Sequence, residues 1–527
     1  MPLTVLGATG AAVVLRFLVL QFQDVLPIIL TSNVWSMCLV AAFSIYALDR
    51  AVLYPLFRNP LRKFPVVRVA NVMAERPRGK TPLLWFRNHP EAEAVVMRSP
   101  LGRCILFPAS PDALRDILST NSYHWEKPWG IRAFLGRVIG FGLIMSEGDA
   151  HRKQRKSLTP AFNIRNIRML YPLMWDKTQI LLDRLQQEGE AQGWSEISHW
   201  ASRLTLDIIG PAALSRDFST LTTEDDPVAE AFGELLDPSP ELVTFMVSNM
   251  FLPQWLATRL PVRANRLIRD HCTRLRHLCR TILDEKHDSM KQAEEGKEDD
   301  ILQHIIASGE FTDEEVIDQM LTFLAAGHET TASALTWCTY LLARHPEVQA
   351  RLREEIRDHV TSPVTPAMLE SMPLLNGACE EVFRLFPTVP LTIREAQCNT
   401  VVAGVDVPKG TVALLVPYAI NRHPLNWGEK AEEFSPERWI DKTVNGHRPN
   451  KHGGACSNFC ETTFLHGPRS CIGRDFAKAE LRCAVAGLVG RFEMELADPN
   501  VEVVIGGTVT TKPVNGLKLR LRMVSGW

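Results

Sequence analysis

The chain is expected to be mainly α-helical with a small β-rich lobe, and three stretches of its 527 residues carry that expectation. Thr312 and Glu315 have the spacing of a capping box, and the run after them stays apolar on most faces until His345-Pro346 closes it near Arg344. A helix of that length measures about 48 Å and belongs through the middle of a large domain. Ile164 to Leu283 reads as amphipathic helical segments broken by Pro211, Pro227 and Pro238-Ser239-Pro240. Val401 to Val416 alternates apolar residues around Gly404 and Lys409-Gly410, which is the pattern of a β-hairpin.

A hydrophobic share of 46% is enough to fill a sizeable core. Lys+Arg 58 against Asp+Glu 60 leaves a net charge of −2 without a basic stripe, which argues against a nucleic-acid partner. The 11 cysteines are scattered and odd in number, and there is no Asn-x-Ser/Thr sequon, so the bulk of the chain reads as cytosolic and reduced.

Between Asp24 and Asp49 lie 24 uncharged residues, Val25 to Leu48, which as a helix would span roughly 36 Å and cross a bilayer. Arg50, Arg58, Arg62, Lys63 and Arg68 follow, so the positive-inside rule puts everything after residue 50 in the cytosol. Leu3 to Leu20 is also apolar apart from Arg16, and either a hairpin of two helices or a monotopic first segment fits. No small-residue cleavage site follows, which favours a retained anchor. The expected organisation is an anchor over residues 1–50, a basic, proline-bearing hinge over 51–68, and one large domain over 69–527.

The chemistry centres on Phe464-Leu465-His466-Gly467-Pro468-Arg469-Ser470-Cys471-Ile472-Gly473, ahead of a helix that reads to Val489. A cysteine at a helix start meets unpaired N–H groups and the positive end of the dipole, which lowers its pKa and suits it to bind a soft metal. Gly467 and Gly473 would let the backbone approach a flat cofactor. Within the long helix, Ala325-Ala326-Gly327-His328-Glu329-Thr330-Thr331 places small residues and an acid–hydroxyl pair on an apolar surface. Burying Glu329 costs free energy unless it is partnered or protonated, so its presence asks for a reason.

The ten-residue loop matches Phe-x-x-Gly-x-Arg-x-Cys-x-Gly without a mismatch and resembles the haem-binding loop of the cytochrome P-450 family. The resemblance implies Cys471 as the axial ligand of a haem b iron, Arg469 paired with a haem propionate, and Phe464 packed beside the sulfur. The helix segment resembles the family's oxygen-activation motif, implying that Glu329 and Thr330 relay protons while Ala326 and Gly327 leave room for dioxygen. Gly148 to Phe162 resembles the helix crossing one haem edge. There His151 stands where the family usually has Trp, and His151 and Arg155 lie one turn apart on one face. Phe386 to Arg394 resembles the strand over the haem. It implies Arg394 at a propionate, with Thr388, Val389, Leu391 and Ile393, together with Phe323, lining a substrate pocket. Glu381 and Arg384, with Arg438 of Phe434-Ser435-Pro436-Glu437-Arg438-Trp439, resemble the family's ion-pair network. Val66-Val67 departs from the Gly-Pro usual after the hinge.

These matches run in order from about Leu53 to the C-terminus and imply a single haem-thiolate monooxygenase domain. Such an enzyme would insert one atom of dioxygen into a lipophilic small molecule by hydroxylation or epoxidation. The style looks like fungal microsomal members that tailor terpenoid or polyketide secondary metabolites. An NADPH-dependent flavoprotein reductase, with cytochrome b5 as an optional second donor, would supply electrons, and the body would face the cytosol from the endoplasmic reticulum membrane. Two other readings stay open: a haem-thiolate isomerase without oxygen activation, and a membrane-anchored zinc-binding structural protein using Cys456, Cys460 and Cys471 with His452 and His466.

Overall fold

The structure, a computed structural model, describes residues 32–72, 74–98, 104–223, 263–292, 300–444, 446–507 and 509–526. Helices dominate them, and the strands are short. The central helix runs Asp313–Arg344, opened by the capping box between Thr312 and Glu315. Its next neighbour is the helix Ile197–Leu214, and the helices Tyr171–Gln192 and Arg474–Arg491 pack against each other in the same core. This core is filled by residues such as Leu324, Trp337, Leu182 and Val485.

A second core lies in the β-rich lobe and gathers Phe86, Val95, Phe107, Trp125 and Leu415. Its six-stranded sheet has the order Val66–Val67, Ala94–Arg98, Cys104–Pro108, Val412–Leu415, Thr392–Ala396, Trp125–Glu126. The alternation after Val401 resolves into two pieces. Thr400–Val402 and Val405–Val407 form an antiparallel hairpin turned at Ala403-Gly404, whereas Val412–Leu415 leaves it to join the larger sheet. Val66–Val67, read as the end of the hinge, is already a strand, parallel to Val96–Met97.

One expectation needs correction. Pro211 does not break its helix, which continues to Leu214. Proline removes one hydrogen bond, and so close to the C-terminal end the helix has little left to lose. Pro227 and Pro238 to Pro240 lie outside the described residues. Only the C-terminal part of the expected span Val25 to Leu48 is described. Its described part, Ser32–Leu48, has 17 residues, about 26 Å, short of the roughly 30 Å hydrocarbon core. Among the described residues no helix is long and apolar enough to cross a membrane. Residues 25–31 lie outside them.

Candidate active site

Three structural pieces bring the Cys471 loop to the core. The buried carboxylate of Glu381 receives both ends of the Arg384 guanidinium, at 2.7 and 2.8 Å. It also accepts from Arg438 Nε at 3.0 Å and Trp439 Nε1 at 2.9 Å. Burial alone would raise this carboxyl, and the arginines and Trp439 outweigh it, holding Glu381 below its ordinary range. Asn421 is the second piece: its Nδ2 donates to the Arg384 carbonyl and to Thr463 Oγ1, and its Oδ1 accepts from the Thr462 N–H. Thr463 in turn donates to the Phe383 carbonyl at 2.7 Å. Gly467 is the third. Its φ is +69°, and a Cβ there would meet the Leu118 carbonyl oxygen at 2.1 Å, so only glycine lets the loop seat this closely.

The Cys471 N–H donates to the Phe464 carbonyl at 2.8 Å, and the Phe464 ring packs edge-on to Phe383. The helix proper begins at Arg474 with Gly473 as its cap, so Cys471 stands just before the first turn rather than in it. Its residue surface stays accessible although it lies deep in the protein, so it faces an internal space. The thiol pKa is raised, not lowered as the helix-start argument expected. Desolvation outweighs the Gly473 N–H and the Arg155 charge, which both pull it down. A coordinated metal cation reverses that balance, because a ligating thiol is deprotonated outright.

Arg155 reaches this loop directly, donating from Nη1 to the Ser470 carbonyl at 2.6 Å. Its partner one turn back, His151, is buried, with Nδ1 3.2 Å from the Tyr123 hydroxyl. Burial and the neighbouring Arg469 push His151 down to about 4, so it brings one N–H and no charge. Arg469 pairs with Glu147, and its Nε and Nη2 are buried without a hydrogen-bond partner. Glu147 also receives the Lys127 ammonium at 3.4 Å. Burial and Arg394 lower Lys127 to about 7, and burial lowers Arg394 to about 10. Arg394 donates to Thr392 Oγ1 and the Ile393 carbonyl.

Lys127, Arg394 and Arg469 therefore surround one carboxylate, leaving an excess of buried positive charge with orphaned donors. That arrangement fits a group carrying further carboxylates, as the two propionates of a haem would. Glu147 and Lys127 were not singled out from the sequence. The acid directly before the Gly148 to Arg155 helix was the available signal for Glu147; Lys127 offered none.

On the central helix, Thr330 Oγ1 donates to the Ala326 carbonyl at 2.6 Å, and Glu329 Oε1 lies 3.8 Å from Lys512 Nζ. Lys512 opens the short strand Lys512–Pro513, and the segment before it is held against this helix, the Thr511 carbonyl accepting from Trp337 Nε1 and Ser333 Oγ. The same segment fixes a pocket residue, since the Thr511 N–H donates to the Thr388 carbonyl at 2.8 Å. No local pattern announced Lys512. His328 Nε2 lies 2.7 Å from Ser202 Oγ, and burial pushes it down to about 4. Gly327 faces Ile209, where a Cβ would come within 2.8 Å of Cδ1, so its size serves helix packing. Phe323 is buried with its ring 5.4 Å from Phe162. Val389, Leu391 and Ile393 are half-buried along the strand entry.

The ligands of the zinc reading are not brought together. Cys456 and Cys460 lie side by side, whereas Cys471 sits by Arg155, and among the described residues no three potential ligands converge.

The family model for Cytochrome P450 matches residues 66–517. The chain belongs to the cytochrome P450 family. It is 37% identical to cytochrome P450 monooxygenase sphH of Aspergillus fumigatus, over 90% of each chain. It is 35% identical to cytochrome P450 monooxygenase ALT8 of Alternaria alternata, over 91% of this chain and 92% of that one. Cytochrome P450 monooxygenase buaD of Petromyces alliaceus is also 35% identical, over 100% and 99%. The protein is thus a cytochrome P450 monooxygenase, and the family implies a haem iron.

Proposed function

We propose that this cytochrome P450 inserts one atom of dioxygen into a lipophilic small molecule, by hydroxylation or epoxidation, within fungal secondary metabolism such as terpenoid or polyketide tailoring. Cys471 would hold a haem b iron, Arg469, Arg394, Arg155 and His151 would hold its propionates, and the haem would supply dioxygen activation, which a thiolate ligand favours. The observation that carries this reading is the excess of buried cations with orphaned Arg469 nitrogens beside the Cys471 loop. Phe323, Thr388, Val389, Leu391 and Ile393 bound the substrate, and four apolar side chains with one hydroxyl suit a mostly lipophilic molecule. Ala326 keeps the helix surface low there. Electrons come from an NADPH-dependent flavoprotein reductase, with or without cytochrome b5.

Glu329 and Thr330 move protons in this scheme, and the Lys512 ammonium lies 3.8 Å from the acid. The intact acid–threonine pair favours oxygenation over isomerisation. Thr330→Ala is expected to leave substrate binding and first reduction nearly normal while product falls and peroxide rises. Glu329→Gln is expected to slow turnover as a whole, because an amide keeps the hydrogen bond but cannot exchange a proton at working pH. The check is the stoichiometry of reductant consumed, peroxide released and product formed. Unchanged coupling in the first variant and unchanged turnover in the second would refute the relay.

The protein is further proposed to sit on the endoplasmic reticulum membrane with its body in the cytosol. Met37, Leu39, Val40, Phe43 and Ile45 are each more than 60% exposed on the helix Ser32–Leu48, an apolar surface that asks for lipid. Removing residues 1–50 should release the protein from microsomes, wholly or in part, with its spectrum intact. Protease protection of the body in sealed microsomes would contradict the orientation.

A further inference from the structure

Of the 11 cysteines, two stand together away from the site just described. Cys456 and Cys460 lie four residues apart with their sulfurs at 3.7 Å. The local fold places them so: Ser457 caps the single turn Asn458–Cys460, accepting from the Phe459 N–H, and the turn carries residue 460 back over residue 456. The two thiols differ in access. Cys456 is exposed, whereas Cys460 is fully buried among Trp427, Ala431 and Trp439, with its carbonyl accepting from Trp427 Nε1 at 3.1 Å.

We propose that Cys456 and Cys460 form a peroxide-reactive dithiol, a reversible modification site on the loop leading to Cys471. A disulfide needs the sulfurs at about 2.0 Å, and side-chain rotation on one short turn can bring them there without moving a distant element. Hydrogen peroxide, which a monooxygenase releases when turnover fails to reach product, is the oxidant. The Cys456 sulfur attacks one peroxide oxygen, the O–O bond breaks, and Cys456 sulfenic acid forms with loss of one water. The Cys460 sulfur then displaces the hydroxyl, its proton leaving with that hydroxyl as a second water. Two thiols and one peroxide thus yield one disulfide and two waters. Burial and the adjacent Cys456 raise the Cys460 thiol to about 12, which protects it from direct attack and assigns the first step to Cys456.

The modified turn is continuous with the anchor of the haem-binding loop. Thr462 and Thr463, two and three residues beyond Cys460, are the residues tied to Asn421 and Phe383. The disulfide would staple the entry to that anchor.

Trypsin should release His452 to Arg469, a peptide whose only cysteines are Cys456 and Cys460. The test treats the reduced, full-length holoprotein with hydrogen peroxide, alkylates remaining thiols and weighs this peptide. The expected result is a peptide two hydrogens lighter that takes up no alkylating agent, and that recovers both thiols after dithiothreitol. In Cys460→Ser, dimedone should trap a sulfenic acid at Cys456; in Cys456→Ser, Cys460 should stay unmodified. A peptide that keeps both thiols alkylatable, at a peroxide dose that oxidises free N-acetylcysteine, would overturn the proposal. So would oxidation of Cys460 in Cys456→Ser.

Discussion

Replacing Cys471 by serine is expected to abolish the strongly red-shifted absorption band of the reduced, carbon monoxide-bound protein. The reason is the donor atom, since a serine hydroxyl is not deprotonated at working pH and offers no soft anionic sulfur. The fold should survive, because the loop is held by Asn421, Thr462, Thr463 and the Glu381 network and not by the Cys471 side chain. Cys456→Ser and Cys460→Ser serve as controls and should keep the band. A Cys471→Ser protein with normal haem content and an unshifted wild-type spectrum would remove Cys471 as the ligand.

Replacing Glu381 by alanine is expected to be the most destabilising single change, at about 3–5 kcal/mol. Glu381 and Arg384 have no exposed side-chain surface, so the variant leaves the guanidinium buried without its counter-charge. Arg438, Trp439 and the Ser435 N–H lose the same acceptor, and Arg384 would no longer hold Asn421 in place against Thr462 and Thr463. The loss should therefore appear first at the Cys471 loop, as poor haem retention, and then as faster thermal inactivation. Holoprotein yield and inactivation half-life measure it, and a variant as stable as the parent would refute the role. The pH dependence has a definite sign. The folded carboxyl is depressed, so its stabilisation is complete above the unfolded carboxylate pKa and disappears as pH falls through the lower folded value. Glu381→Gln should lack that acid-dependent component in melts taken along a pH series.

The long helix was legible because its signals are local: Thr312 and Glu315 satisfy each other three residues apart, and the apolar period continues to a proline stop. The Cys471 loop was legible for a related reason. Its glycines and arginine must hold fixed offsets from the cysteine, and Gly467 shows the cause in its positive φ and close approach to Leu118. Glu381 and Arg384 were likewise readable as neighbours on one helical face.

What the sequence alone determined about this protein is the part written in short spacings: helical class, thiol loop, acid–threonine pair and ion-pair motif. The tertiary structure alone decided what meets across long separations in the chain. It set Lys512 against Glu329, gathered Lys127, Arg394 and Arg469 around Glu147, and gave Gly327 a packing partner in Ile209. It also decided the sign at Cys471. A helix dipole is a property of neighbouring residues and lowers a thiol pKa, but desolvation depends on everything folded around the sulfur, and here it is the larger effect.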